Sequence, residues 1–265
     1  MRAFASLVEM LTPVLAGHGR RVGAVSREIA QELGLPEKEA NEIEIAGLLH
    51  DIGKLGFPEK LLAYRQKTWT DQDKARFQKH PEQGEAAVQF IDKLDHVGML
   101  IRHHHEQYDG HGYPDSLADE QIPMGSRIIA AADAYDRIVK LKVVDDDTLK
   151  KASEGNPVTH KNLSEEVLQK AAMLHLRDQA FVLYDPDVVK KFLDMLKTEG
   201  IRYGREKELS LEQLESGMVL SESIHTSSGR FLLSKNTTLT NDFIAKLKSI
   251  HFIEPITELI RVERT

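Results

Sequence analysis

The stretch His103-His104-His105-Glu106-Gln107-Tyr108-Asp109-Gly110-His111-Gly112-Tyr113-Pro114 sets three histidines and a glutamate in a row and follows them with a loop of Gly, Asp and Pro. Apolar segments on both sides read as helices, so the histidines stand at a helix end facing a turn. Such a run is costly to bury without a partner. Neutral imidazole is a leading transition-metal ligand, so a cation is the partner the chemistry suggests. That idea requires matching ligands elsewhere in the chain.

Upstream, Leu15, Val22, Val25, Ile29 and Leu33 recur at helical spacing and predict a helix over 2–33, kinked or divided at Pro13. Pro36 then opens a helix from Glu37 to about Asp51. The polar pair His50-Asp51 arrives directly after its apolar run, and Gly53, Gly56 and Pro58 mark a turn. Thr70-Asp71-Gln72-Asp73 is a capping signal for a helix reaching about Lys79. Pro81 biases His80 away from helical angles, so the next helix is expected from Glu82 to about Ile91. The opening stretch ends a helix predicted over about 96–108.

Downstream, Pro123 starts a helix whose middle is Ile128-Ile129-Ala130-Ala131-Ala132-Asp133-Ala134-Tyr135-Asp136. Residues 143–162, with Asp145-Asp146-Asp147, read as a surface loop. Helices follow from Ser164 to about His175 and from Pro186 to Thr198. The tail changes character. Met218-Val219-Leu220, Ile224-His225, Arg230-Phe231-Leu232-Leu233 and Ile256 to Val262 read as short strands, Ser227-Ser228-Gly229 as a turn, and Asn241 to Ile250 as a helix. The fold class is therefore mainly α: a helical domain over 1–204 and a small β-rich α+β unit over 205–265.

Composition narrows the function. The 265 residues carry a net charge of −7, of which residues from Arg205 onward contribute −1 (8 basic, 9 acidic). Neither part is a basic module, which argues against duplex nucleic acid as a partner. The absence of cysteine excludes thiolate metal sites and disulfides. No signal peptide and no membrane-spanning run is apparent, so a cytoplasmic protein is expected. Eight of the twelve histidines lie between residues 18 and 111, which makes histidine the residue to follow. The candidate ligands near apolar helices are His18, His50, Asp51, His80, His104, His105 and Asp133. His50 and Asp51 are adjacent at a helix end, where both can meet one ion and the second carboxylate oxygen can reach another.

The order of His18-Gly19-Arg20-Arg21-Val22, His50-Asp51-Ile52-Gly53-Lys54, His80-Pro81, His104-His105-Glu106, Asp109-Gly110-His111-Gly112-Tyr113-Pro114 and Asp133 resembles the HD-GYP subgroup of the HD-domain phosphohydrolases. Tyr184-Asp185-Pro186-Asp187 resembles the segment that closes such domains. The resemblance implies an HD-type helical bundle with two or three metals, often iron or manganese, that hydrolyses cyclic di-GMP to pGpG and sometimes to GMP. It implies that His18, His50, Asp51 and Asp133 hold one ion, that Asp51, His80, His104 and His105 hold the other, and that Asp51 bridges. Nitrogen and carboxylate donors also admit Ni, Co or Zn. Two such cations would lower the pKa of a shared water so that hydroxide attacks the phosphodiester near neutral pH.

Within that frame Lys54 is a candidate to contact the phosphate oxygen or the bound hydroxide. Asp136 is expected to orient a ligand or Lys54, or to pair with Lys140. Arg21 is expected to pair structurally with a core carboxylate. Tyr113 offers a rigid ring at the lip of the site to hold substrate, with Gly110 and Gly112 supplying unusual backbone angles. His111 is expected to be an exposed loop residue.

The chain departs from the family pattern in three places. Val14 replaces a glutamate found in three-metal members, which favours two ions. Where many members carry a basic Asp-Arg-Pro-Tyr-Arg-like segment that grips substrate phosphate, this chain has Lys140-Leu141-Lys142-Val143-Val144, in which Lys142 is expected to replace one cation, and Asp145-Asp146-Asp147 follows. Residues 145–165 look rearranged. Those differences leave two alternatives: a catalytically weak cyclic di-GMP-binding module that signals through partner proteins, or a phosphohydrolase for another nucleotide or phosphate ester. A homodimer is compatible with each.

Overall fold

The computed structural model describes residues 17–62, 69–91, 94–154, 163–198, 206–220, 223–234, 237–256 and 260–263. The expected helical stretch with Pro13 and Val14, residues 155–162, and the end of the first domain around Gly204 lie outside them. The chain divides into two compact units, Met1–Gly200 and Ile201–Thr265.

The first unit is helical. In order it contains α1 (His18–Glu32), α2 (Glu37–Leu49), a 3₁₀ turn (Ile52–Lys54), α3 (Glu59–Leu62), α4 (Asp71–Phe77), α5 (His80–Val88), α6 (Asp95–Arg102), α7 (Met124–Val139), α8 (Asp146–Ala152), α9 (Glu165–Asp178) and α10 (Pro186–Thr198). Val22, Ile29, Ala46, Val97, Ile101, Ile128, Ile129 and Phe192 are fully buried. Helices α1 and α2 pack along a glycine seam. A Cβ on Gly23 would lie 2.6 Å from the Glu44 carbonyl, and one on Gly47 would lie 2.8 Å from the Gly23 Cα. Only bare backbone permits that approach, and it brings the start of α1, with His18, beside the end of α2, with His50.

A second close approach joins the 3₁₀ turn to α5. A Cβ on Gly53 would fall 2.0 Å from the His80 carbonyl oxygen and 2.7 Å from the Gly84 nitrogen. Helix α4 begins as its cap predicts: Thr70 and Asp73 form a reciprocal capping box.

Three expectations need correction. The helix carrying the histidine run stops at Arg102, and His103 is its cap. His104 and His105 therefore leave helical geometry, which removes the 100° divergence that successive helical side chains have. Helix α5 starts at His80 rather than Glu82 because Pro81 occupies a first-turn position, where its missing N–H costs nothing. Residues 146–152, expected in a loop, form α8, whose N-cap Asp145 accepts a hydrogen bond from Thr148 N. The acidic run thus lies at a helix N-terminus, where negative charge is favourable.

The second unit pairs β1 (Glu206–Leu209) antiparallel with β4 (Ile260–Glu263) and β2 (Ile224–His225) with β3 (Phe231–Leu233), and adds α11 (Asn241–Ile253). Its core is built on Leu211, Leu220, Leu239, Leu247, Ile256 and Val262. Strand β1 was not foreseen, and Val219 and Leu220 make isolated bridges instead of a strand. The expected turn after Thr226 is present, with Gly229 at φ 87°.

Candidate metal centre

Four backbone or carboxylate acceptors set the histidine tautomers. His50 Nδ1 donates to the Gly47 carbonyl at 2.7 Å, His80 Nδ1 to the Phe77 carbonyl at 2.7 Å, and His104 Nδ1 to the Ile101 carbonyl at 2.6 Å. A carbonyl only accepts, so each of these nitrogens carries the proton. Each bond reaches back three residues, which is why a histidine closing or following a helix turn finds it. His18 Nδ1 donates to Asp136 Oδ2 at 2.7 Å. In the His50, His80 and His104 rings the unprotonated Nε2 is left to face inward, and His18 turns its Nε2 toward Asp133.

The inward atoms converge. His18 Nε2 lies 3.2 Å from Asp133 Oδ1, and His50 Nε2 lies 3.8 Å from that oxygen and 3.4 Å from Asp51 Oδ1. His80 Nε2 lies 3.7 Å from Asp51 Oδ1 and 3.4 Å from His104 Nε2. Among the described residues the seven expected ligands form three groups that could hold a metal ion: His18, His50 and Asp133; His50, Asp51 and His104; and His80, His104 and His105. All seven ligands expected from the sequence therefore meet in one place.

The electrostatics fit a cation. His18 Nε2, Asp133 Oδ1 and His105 Nε2 are buried with no hydrogen-bond partner. His80 and His104 face each other through two lone pairs with no proton between them, which is repulsive unless a cation lies there. Burial, followed by neighbouring positive charge, holds the His80 and His105 pKa well below the usual histidine range. Burial, and then His50, lowers His104 to about 3. These rings are therefore neutral and able to ligate at neutral pH. For His18 burial opposes protonation, but the Asp133 and Asp136 carboxylates beside it outweigh burial and raise the pKa to about 9, so bringing this ring to a metal displaces a proton. Burial raises the Asp51 and Asp133 pKa, yet nearby positive charge wins and both lie well below the usual carboxylate range. The donor set, its tautomers and its orphaned atoms thus suit divalent transition metals.

Lys54 and Asp136 both meet expected ligands, and for Asp136 that was one of the places foreseen. Lys54 Nζ is buried 2.6 Å from Asp51 Oδ1, so it meets the carboxylate expected to bridge. Asp136 accepts from His18 and from Arg21 Nε at 2.6 Å, which makes it the anchor of a ligand. Lys140 pairs with Glu165. Tyr113 stacks on His105, with centroids 5.0 Å apart and planes at 25°. Lys142 is exposed past the end of α7, where the chain turns back and Val143 N donates to the Arg137 carbonyl. His111 is exposed beside Asp109.

Two residues went unrecognised in the sequence. Glu106 is buried, and its carboxylate accepts from Asp115 N at 2.7 Å and Leu117 N at 3.2 Å, which folds the loop over the site. Arg137 Nη1 reaches Asp133 Oδ2 at 3.3 Å. Its spacing of four from Asp133 was the available signal. Gly112 also differs from expectation. Gly110 has a positive φ of 81°, whereas Gly112 is needed because a Cβ there would lie 2.2 Å from Gln107 N.

A protein-family model described as an HD domain matches residues 2–154. The cyclic di-GMP phosphodiesterase response regulator RpfG of Xanthomonas campestris pv. campestris is 39% identical over 124 residues, 46% of this chain and 32% of that protein. The cyclic di-GMP phosphodiesterase of Thermotoga maritima is 31% identical over 193 residues, 72% of this chain and 47% of that protein. The chain thus spans less than half the length of these two relatives. Among solved structures, Bd1817, a HDG"Y"P protein from Bdellovibrio bacteriovorus, is alike in fold, with a TM-score of 0.50, 24% identity, and coverage of 68% of this chain and 51% of that one. Among the described residues no helix is long and apolar enough to cross a membrane.

Proposed function

The chain belongs to the HD domain family, and on that premise we propose that it is a metal-dependent phosphodiesterase that hydrolyses cyclic di-GMP to pGpG or GMP. The observation that carries the reading is the facing pair of unprotonated nitrogens, His80 Nε2 and His104 Nε2, 3.4 Å apart in a buried cluster. The names of the two relatives support the substrate class.

In this proposal His18, His50, Asp51 and Asp133 hold one ion, and Asp51, His80, His104 and His105 hold a second. Iron or manganese is the preferred occupant, and Ni, Co and Zn suit the same donors. When bound, such ions lower the pKa of water and offset charge on a phosphate.

The remaining work falls to the protein. Lys54 keeps Asp51 ionised. Asp136 fixes the tautomer and plane of His18, the outer support that ligating histidines commonly have. Glu106 folds the Asp109–Pro114 loop so that Tyr113 walls the site beside His105. Burial pushes the Tyr113 hydroxyl pKa above its usual value, so it stays a donor toward substrate. Residues 1–204 form the catalytic domain of this reading and 205–265 an appended unit. The acidic run that motivated a binding-only alternative begins at Asp145, the N-cap of α8.

The test is anaerobic reconstitution with iron(II) and manganese(II) in parallel, followed by cyclic di-GMP turnover and product analysis. Metal-dependent formation of pGpG or GMP, abolished by Asp51→Ala, is the expected result. A chain that retains no transition metal, or a metal-replete chain without product, would overturn the proposal.

A further inference from the structure

The ligand cluster is buried except at His105, which is half-buried, and a negatively charged substrate needs a cation beside it. The cation expected there from the sequence, Lys142, stands exposed past the end of α7. Lys54 is committed to Asp51 inside the cluster. Arg137 stands between these extremes. It shares a helix face with Asp133, four residues away, and its Nη1 touches the Asp133 oxygen that turns away from His18. Its side chain is 22% exposed, against 1% for His18 and His50 and 0% for His80. Its charge acts on Lys54, Tyr113, His175 and Tyr184, which come from four other segments of the unit. Two of these, His175 and Tyr184, are joined through Nε2 and the hydroxyl at 3.1 Å.

We infer that Arg137 is the substrate-binding cation of this site, its guanidinium taking a non-bridging phosphate oxygen of the phosphodiester. A guanidinium suits that task because its planar donors match phosphate geometry and it keeps its charge at all working pH values. Arg137 reaches the phosphate from within the helix that supplies a ligand, so its register with the ions is set by α7 rather than by a loop. The inference rests on the phosphodiesterase reading for the identity of the substrate, whereas its test does not depend on turnover.

The probe is inorganic phosphate, titrated calorimetrically into the manganese-reconstituted full chain. Metal content and melting temperature are measured on the same samples. Arg137→Ala is expected to weaken phosphate binding about 10- to 100-fold with metal content unchanged, and to raise KM for cyclic di-GMP more than it lowers kcat. Arg137→Lys, which keeps the charge and loses the planar fork, is expected to recover part of the affinity, and it carries the test if the alanine variant does not fold. Phosphate affinity within twofold of the parent in the variants would overturn the inference. So would loss of metal in Arg137→Ala, since Arg137 would then serve only to hold Asp133. Phosphate binding that depends on Arg137, in a chain that hydrolyses no cyclic dinucleotide, would leave this inference standing and end the phosphodiesterase reading.

Discussion

Gly53→Ala is the substitution that separates the geometry of the site from its chemistry, because it adds one methyl group and removes no ligand. The Cβ would stand 2.0 Å from the His80 carbonyl oxygen and 2.7 Å from the Gly84 nitrogen. Both are backbone atoms of α5, so no side chain can swing away. To reach a tolerable separation the 3₁₀ turn and α5 must part by at least about 1 Å. Asp51 adjoins the turn and His80 opens the helix, so the same movement separates two ligands. Metal–ligand distances tolerate roughly 0.2 Å, so an ion shared by Asp51 and His80 should be lost or bound far more weakly. Overpacking of this kind costs about 1–3 kcal/mol. For a unit of this size each kcal/mol is worth roughly 2–4 °C, so the metal-free variant should melt about 2–12 °C below the parent. The assay is thermal melting by circular dichroism, alongside metal analysis after reconstitution. A variant that keeps full metal content and melts within about 1 °C of the parent would refute the claim that this contact sets the site.

Two further outcomes follow from named contacts. Asp136→Ala leaves every proposed ligand in place but removes the acceptor for His18 Nδ1; metal affinity should fall about 10- to 100-fold, and a metal titration showing less than a twofold change would contradict the anchoring role. Asp145→Ala removes the cap of α8 and should cost about 0.5–2 kcal/mol of stability in denaturant unfolding without altering cyclic di-GMP affinity. A tenfold or larger gain in that affinity would instead show that the acidic run repels substrate.

Much of the site was legible because its residues are chemically unusual where they stand. Histidines and aspartates next to apolar runs carry a solvation cost that only a partner can offset, so His50-Asp51, His80 and His104-His105 stood out before any contact was known. The helical domain and the β-rich tail were also readable, since the hydrophobic period changes from helical to strand-like after about residue 205. Local signals misled in two places, where a cap rather than the hydrophobic period set the helix boundary. The helix before His103 seemed to continue, and Asp145–Asp147 seemed to be loop.

What the sequence determined by itself is the inventory: which groups can hold a cation, the order in which they come, and the Gly-Tyr-Pro loop that accompanies them. What the tertiary structure decided is the direction each group faces. Hydrogen bonds to the Gly47, Phe77 and Ile101 carbonyls select one nitrogen of each of three rings, and Asp136, 118 residues from His18, selects it in the fourth. The physical reason is that a tautomer, an ion pair or a glycine contact depends on which backbones lie within about 3 Å. Those distances are set by helix packing, and spacing along the chain does not contain them.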